Sequence, residues 1–183
     1  MTSLHALTIP PLIRGMHNIS AILKKAQASG IDASILLTSR IHPEMLPFPN
    51  QILFLTNMAV RTTTEINSSL PPSPLPPLEE NPTFDTLISR IASAINYLES
   101  VTPEQLDGRE EAAVKLRIDR RKWAGDIAYV EYGTVEFVQM HAHPYFWFHV
   151  VTAYDLLRAG GVELGKFDFL NAAGLKSFEF RDD

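Results

Sequence analysis

The sequence predicts a mainly α-helical protein, a four-helix bundle with one β-hairpin inserted between its third and fourth long helices. Along four long segments, apolar residues recur at steps of three and four, which is the period of a helix with one buried face. Between the third and fourth segments the period changes to strict alternation, which is typical of a strand. The length of 183 residues suits one domain, and we assign residues 1–183 to it.

The first two long helices are predicted over residues 9–28 and 50–66 from this periodicity. Gly15 lies inside the first of them and indicates the close approach of another helix, because glycine destabilises a helix unless packing requires it. Between the two long helices, Asp32 is placed to cap a short helical segment.

The third long helix is predicted over residues 84–98, after a segment of about residues 68–82 that contains six prolines and shows no periodicity. Such a segment favours a stiff, extended spacer of polyproline type. After the third helix, Thr102 followed by Pro103 is the usual start of a short helix.

A β-hairpin is predicted over about residues 113–132, since apolar and charged residues alternate in its first half and strand formers dominate its second. The sequence RRKWAG between the two halves is the predicted turn. The fourth long helix is predicted over residues 134–158, with a kink at Pro144, which lacks a backbone donor. Residues 161–183 follow as a C-terminal tail.

The composition excludes several kinds of functional site and several classes of binding partner. The chain has no cysteine, so a thiolate nucleophile, a disulfide, sulfur-ligated zinc and an iron–sulfur cluster are excluded. The net charge of −5 argues against general affinity for nucleic acid. No apolar run approaches the roughly 18 residues that span a bilayer. We therefore expect a cytoplasmic protein without a nucleic-acid or membrane partner.

The stretch HAHPYFWFHVV, residues 141–151, carries three of the six histidines of the chain. On a helix, His141, Tyr145 and His149 are spaced by four residues and share one stripe. Two interpretations stay open from spacing alone. The histidine and tyrosine one turn apart could share a proton or a ligand, or both could be core residues whose polar tips find backbone partners.

Three segments resemble an uncharacterised domain-of-unknown-function branch of the DinB/YfiT-like superfamily. They are ALTIPPLIRGMHNISAILKKA near the start, HPEMLPFPNQI before the second long helix, and HVVTAYDLLRAGGVELGKFDFL over residues 149–170. The resemblance covers about residues 4–170. It implies a four-helix bundle, and it implies a two-fold homodimer, because DinB-like bundles commonly pair.

The resemblance also bears on metal binding. DinB-like members with a complete site look like metalloenzymes, with one histidine on helix two and two histidines spaced by four on a later helix. Here His149 matches the last of those positions, Tyr145 stands where its partner would be, and the second long helix offers Thr56, Asn57, Met58 and Ala59 in the relevant turn. We therefore expect no metal and no other cofactor.

Three functions follow as hypotheses. The first is a protein that binds a small apolar or carbonyl-bearing molecule, either without catalysis or as a metal-free isomerase, cyclase or transferase that uses His149 and Tyr145 as its acid–base pair. The alternatives are a non-catalytic structural homodimer and a DinB-like metal-dependent enzyme, with the metal on His141, His149 and a carboxylate. For the first hypothesis the predicted substrate-binding residues are His141, Met58, Trp147, Tyr154 and His17.

Overall fold

The computed structural model describes residues 2–119, 121 and 124–177, and it confirms the predicted fold class, a helical bundle with one hairpin. Within these residues no helix combines the length and the apolar character needed to cross a membrane. The elements, in chain order, are α1 (Leu4–Gln27), α2 (Ala33–Thr38), α3 (Phe48–Ile66), α4 (Phe84–Glu99), α5 (Pro103–Leu106), β1 (Ala113–Asp119), β2 (Ile127–Gly133), α6 (Thr134–Phe137), a π-helical segment (Val138–Ala142), α7 (His143–Ala159) and α8 (Lys166–Asn171).

The bundle is formed by α1, α3, α4 and α7, and α3 packs against both α4 and α7. The buried residues of each helix recur at the predicted spacing and form one apolar cluster. Close packing of α1 on α7 depends on Gly15, since a Cβ there would lie only 2.6 Å from Cε1 of Phe146. The close helix approach predicted at Gly15 is therefore confirmed.

The first helix begins at Leu4 rather than at residue 9, so its predicted start was wrong. The Ser3 side chain accepts a hydrogen bond from the backbone N–H of Ala6 at 3.2 Å and caps the earlier start. Pro10 and Pro11 consequently lie inside α1, where each lacks a backbone donor. Apolar periodicity placed the helix start too late because the polar cap at Ser3 is not part of the apolar pattern.

The hairpin is antiparallel and lies between α5 and α6. Val114 pairs with Tyr132, and Leu116 pairs with Val130. Val114 and Leu116 are buried while the residues between and beside them are exposed, so one face of β1 packs on the bundle. The predicted hairpin is confirmed. Three residues of its predicted turn (120, 122 and 123) lie outside the described residues, as do residues 178–183 of the predicted tail.

The predicted kink at Pro144 corresponds to a local change of helix type. The backbone N–H of His143 donates to the carbonyl of Val138, five residues back, which closes the π-helical segment directly before α7. Pro144 then occupies the first turn of α7, where its missing N–H needs no partner in the helix. The fourth long helix is thereby divided into α6, the π-helical segment and α7.

The tail contains a helix that periodicity did not predict, α8. Asn18 of α1 donates from Nδ2 to the carbonyls of Phe169 and Leu170, at 3.1 Å each. Lys25, also on α1, forms an ion pair of 3.1 Å with Asp168. These long-range contacts hold α8 on the outside of α1.

Candidate functional site

A cleft of about 510 Å³ opens between α3, the proline-rich connector and α7. We call it the α3–α7 cleft. Its volume lies within the range of roughly 300–1,000 Å³ that small-molecule sites occupy. Its lining residues are Phe54, Asn57, Met58, Arg61 and Thr64 of α3, Ser73 and Leu75 of the connector, and Tyr145 of α7.

The connector is held in place as one wall of the cleft by Arg90, a buried residue of α4. The Arg90 guanidinium donates from Nε to Oγ1 of Thr56 at 2.9 Å and from Nη2 to Oδ1 of Asn57 at 2.6 Å. It also donates from Nη1 to the backbone carbonyl of Pro76 in the connector. A single side chain therefore ties α4, α3 and the connector together.

Tyr97 makes a second contact with the connector, closer to the N-terminal end of that segment. The Tyr97 hydroxyl, on α4, lies 3.0 Å from the carbonyl of Pro71 and 3.2 Å from Oγ1 of Thr63. Polyproline segments make no internal backbone hydrogen bonds, so contacts of this kind determine where the segment lies.

Arg90 is bound only by neutral acceptors among the described residues. Burial lowers the pKa of its guanidinium, although arginine remains protonated in proteins. The Arg90 cation therefore lies behind Asn57 with hydrogen-bond acceptors but no ion pair among the described residues.

His149 lies behind the cleft wall and is 8% exposed. Its Nδ1 is 2.7 Å from Oε1 of Gln51 on α3. An amide oxygen only accepts, so Nδ1 carries the proton and Nε2 keeps its lone pair. Nε2 has no hydrogen bond to a described residue, and it is not sealed from solvent as Nε2 of His143 is.

Three aromatic rings surround the His149 imidazole: Phe54 at 5.0 Å, Tyr145 at 4.7 Å and Phe148 at 5.1 Å between ring centroids. Burial in these surroundings lowers the pKa of His149 from 6.5 to about 4. The imidazole is therefore neutral at pH 7.

Tyr145 joins His149 to the cleft, because its ring contacts the imidazole and also forms part of the cleft wall. Burial raises the pKa of Tyr145, and the nearby Arg61 cation lowers it in part. On the other side, Tyr145 stacks on His141, with ring centroids 6.2 Å apart. Burial lowers the pKa of His141 as well. The stripe predicted from the spacing of these residues thus exists, and at neutral pH all three rings are uncharged.

The structure brings only some of the predicted site residues to the cleft. Tyr145 and Met58 line it, while His149 and His141 lie behind Tyr145 along the stripe. Trp147 and Tyr154 point to another side of α7, where both pack on Phe169 of α8. Seven residues make nearly two helical turns, so these two share a face, and that face is turned away from the cleft.

His17 lies at a different cleft, of about 580 Å³, between α1 and the junction of α4 with α5. This α1 cleft is the larger one, but its lining is mainly apolar. Two of its polar side chains already have partners: His5 Nε2 lies 2.9 Å from the carbonyl of Val101, and Arg14 donates to the carbonyl of Leu170 at 3.0 Å. We place the candidate site in the α3–α7 cleft because Tyr145 and Met58 of the predicted site line it, whereas His17 is the one predicted site residue among the described residues at the α1 cleft.

Sequence reasoning missed several contributors to the site: the connector, which it treated as a spacer, and the residues Gln51, Phe54, Arg61, Thr64 and Arg90. Arg90 could have been noticed, since it interrupts the apolar stripe formed by Leu87, Ile91 and Ala94. A charged residue at an inward position requires partners, and those partners mark a polar site.

The metal-dependent hypothesis requires a set of ligands that the described residues do not supply. Around His149, α3 contributes the amide of Gln51 and the ring of Phe54, and the position one turn earlier on α7 is a phenol. Zinc and related ions take three or four nitrogen, oxygen or sulfur ligands. No three histidine, aspartate or glutamate side chains of the described residues converge in a way that could hold a metal ion. These donors do not fit the metal that the resemblance implies.

Comparisons with known proteins agree with this fold. A crystal structure of a DinB family member from Shewanella denitrificans is 26% identical and superposes with a TM-score of 0.74, covering 98% of this chain and 96% of that one. No curated protein matches the chain significantly. Residues 4–170 match the family model described as Domain of unknown function (DUF1993). The chain therefore belongs to the DUF1993 family, whose fold here is a DinB-like helical bundle.

Proposed function

We propose that this protein binds a small organic molecule in the α3–α7 cleft, without a metal. The observation that carries the proposal is the combination of apolar walls with convergent polar groups. Phe54, Met58 and Leu75 supply apolar surface, while Asn57 of α3 and Tyr145 of α7 supply hydrogen-bonding groups. This combination is typical of ligand sites, where a few polar groups orient a mainly apolar molecule.

The protonation states of His149 and Tyr145 favour ligand binding over proton transfer as the function of the cleft. A general base works best when its pKa is close to the working pH, whereas burial lowers the pKa of His149 to about 4. Tyr145 is held in its protonated form, so its hydroxyl is available as a hydrogen-bond donor. In this proposal Tyr145 donates to a carbonyl oxygen of the ligand. His149 is a positioning residue that packs on the Tyr145 ring.

The proposal is tested by filling the cleft. N-Phenyl-1-naphthylamine, a neutral apolar dye, should bind wild-type protein with increased fluorescence. The substitution Thr64→Trp adds an indole at a half-buried position of the cleft wall, and we expect it to weaken dye binding at least about 10-fold. Ser89→Trp, at an exposed position of α4 outside the cleft, is the matched control and should leave binding unchanged. Equal dye affinity in both variants would refute the proposal.

A second candidate, the structural homodimer, is favoured by the outer face of α7. Phe148 and Val151 are one turn apart, and they are 56% and 41% exposed. A two-fold contact between such faces would bury apolar surface from both subunits. Light scattering coupled to gel filtration tests this candidate. A wild-type dimer that Phe148→Asp converts to a monomer would support it, and a wild-type monomer at high concentration would refute it.

A further inference from the structure

Arg61 is the charged residue among the described side chains that line the α3–α7 cleft. Its Nε donates to Oε1 of Glu65, one turn later on α3, at 2.7 Å. The two terminal nitrogens of the Arg61 guanidinium make no hydrogen bond to a described residue, and half of the side chain is exposed. They are therefore available to a ligand as two parallel donors.

Asn57 lies one turn before Arg61, and its orientation is fixed by Arg90. Because the Arg90 guanidinium can only donate, the atom 2.6 Å from Nη2 must be the amide oxygen of Asn57. The NH₂ group of Asn57 has no protein acceptor among the described residues, and it remains as a further donor at the cleft. The buried charge of Arg90 strengthens the local preference for a negative group.

Three polar groups of the cleft can donate hydrogen bonds to a ligand. Arg61, Asn57 and the Tyr145 hydroxyl are donors, and no carboxylate is found among its described lining residues. This donor-rich site occurs in a chain whose net charge is −5, so it is not a consequence of a generally basic surface. A planar guanidinium with two free nitrogens matches the geometry of a carboxylate.

We infer that the ligand of the proposed site is an organic carboxylate, with its apolar body against Phe54, Met58 and Leu75 and its carboxylate at Arg61 and Asn57. This inference rests on the proposed function, because it names the chemical class of the molecule that binds there. A monoanion suits the site, since the Arg61 guanidinium is already paired with Glu65 and offers only its two terminal nitrogens beside the Asn57 amide, whereas a phosphate dianion recruits several more donors.

The experiment compares 1-naphthoate with 1-naphthamide, which has the same ring system but no charge, as displacers of N-phenyl-1-naphthylamine. In wild-type protein 1-naphthoate should displace the dye about 10-fold more strongly, as expected for a charge-assisted hydrogen-bonded pair at a half-exposed site. Arg61→Gln should reduce that preference to about 2-fold or less, because the loss of the cation weakens binding of 1-naphthoate more than binding of the neutral amide.

Two further variants test the role of the charge: the first should increase the preference for 1-naphthoate, and the second should leave it unchanged. Glu65→Gln removes the negative charge that neutralises the Arg61 guanidinium, so the preference for 1-naphthoate should increase. Lys24→Gln removes the same charge from an exposed position of α1 outside the cleft, and the preference should stay at the wild-type value. Circular dichroism of each variant verifies that it is folded.

The outcomes separate the two proposals. If Thr64→Trp abolishes dye binding but 1-naphthoate and 1-naphthamide displace the dye equally, the carboxylate inference is overturned and the binding site stands. The inference is also overturned if Arg61→Gln and Lys24→Gln reduce the preference equally, since a general charge effect then explains it. If Thr64→Trp leaves the affinity for the dye unchanged, the proposed function itself is refuted.

Discussion

His149 makes the stability of this protein depend on pH. Its pKa is about 4 in the folded protein and 6.5 in the absence of burial. Between these values the unfolded chain binds a proton that the folded chain does not. The stabilising contribution of the neutral imidazole is therefore complete above pH 6.5 and is lost as the pH falls towards 4. Allowing for the solvent that reaches the ring, the loss should be about 2 kcal/mol.

Urea unfolding at pH 7.5 and pH 5 measures this effect. The variant His149→Gln removes the titrating group, so its stability should fall less between the two pH values than that of the wild type. His42→Gln, at an exposed position, should behave as the wild type does. If His149→Gln and the wild type lose the same stability, His149 is not the buried titrating group that we describe.

Gly15 should tolerate no side chain. A Cβ at this position would lie 2.6 Å from Cε1 and 2.9 Å from Cζ of Phe146, whose ring is fully buried. We expect Gly15→Ala to reduce the free energy of unfolding by about 1–3 kcal/mol, because the ring or α1 must shift. At Gly133 an added Cβ meets nothing within 4 Å, so Gly133→Ala is the control, with an expected change within about 0.5 kcal/mol.

A double-mutant cycle identifies the cause. In the background of Phe146→Leu, which shortens the opposing side chain, Gly15→Ala should cost less than it does in the wild type. An equal cost in both backgrounds would show that contact with Phe146 is not what excludes a side chain at position 15.

At the residue scale, the helical period predicted the part of the site that lies on α7, and the family resemblance indicated the turn of α3 that contains Met58. His141, Tyr145 and His149 are placed on one stripe by the helical period alone, and the structure shows that stripe. The partners of these residues come from other elements. The contact of Gln51 with His149 joins positions 98 residues apart, and no local pattern encodes such a distance.

At the element scale, the proline-rich connector depends on one buried side chain of α4. Arg90→Ala removes the donors to Thr56, Asn57 and the Pro76 carbonyl, and it leaves a cavity. We expect a loss of about 2–4 kcal/mol in the free energy of unfolding, since several hydrogen bonds and the packing of the arginine stem disappear together. The connector should also open locally more often than in the wild type.

Limited proteolysis with a glutamate-specific protease reports that opening, because Glu79 and Glu80 are exposed residues of the connector. Cleavage there should be faster in Arg90→Ala than in the wild type. Arg109→Ala, which removes an exposed arginine that bonds to the backbone of α5, is the control and should leave the rate unchanged. An unchanged rate in Arg90→Ala would show that the connector is held by other contacts.

The elements themselves were largely predictable because burial is periodic. The bounds of α3, α4 and the hairpin agree with the apolar pattern to within about two residues. The exceptions have physical reasons. The helix α8 has no fully buried residue and so shows no apolar stripe; contacts from Asn18 and Lys25 of α1 hold it, together with the packing of Phe169 on Trp147 and Tyr154. The π-helical segment results from a backbone hydrogen bond before Pro144, which side-chain spacing does not reveal.

At the scale of the whole molecule, the cleft is assembled from parts that the bundle core brings together. Two walls belong to α3 and α7, which pack on each other, and the third is the connector that Arg90 attaches to α3. A ligand in the cleft would contact all three parts in the folded protein and none of them in the unfolded chain. Ligand binding and global stability should therefore be coupled.

The ligand concentration relative to the dissociation constant determines how much the free energy of unfolding should increase. At a 1-naphthoate concentration of about 100 times its dissociation constant, the free energy of unfolding of the wild type should rise by about 2.7 kcal/mol. The variant Thr64→Trp, whose cleft is filled, should show no increase at that concentration, and Ser89→Trp should show the full increase. Urea unfolding with and without the ligand measures each value. An equal increase in Thr64→Trp would place the ligand outside the α3–α7 cleft, because stabilisation of the folded state would then not depend on the space between α3, α7 and the connector.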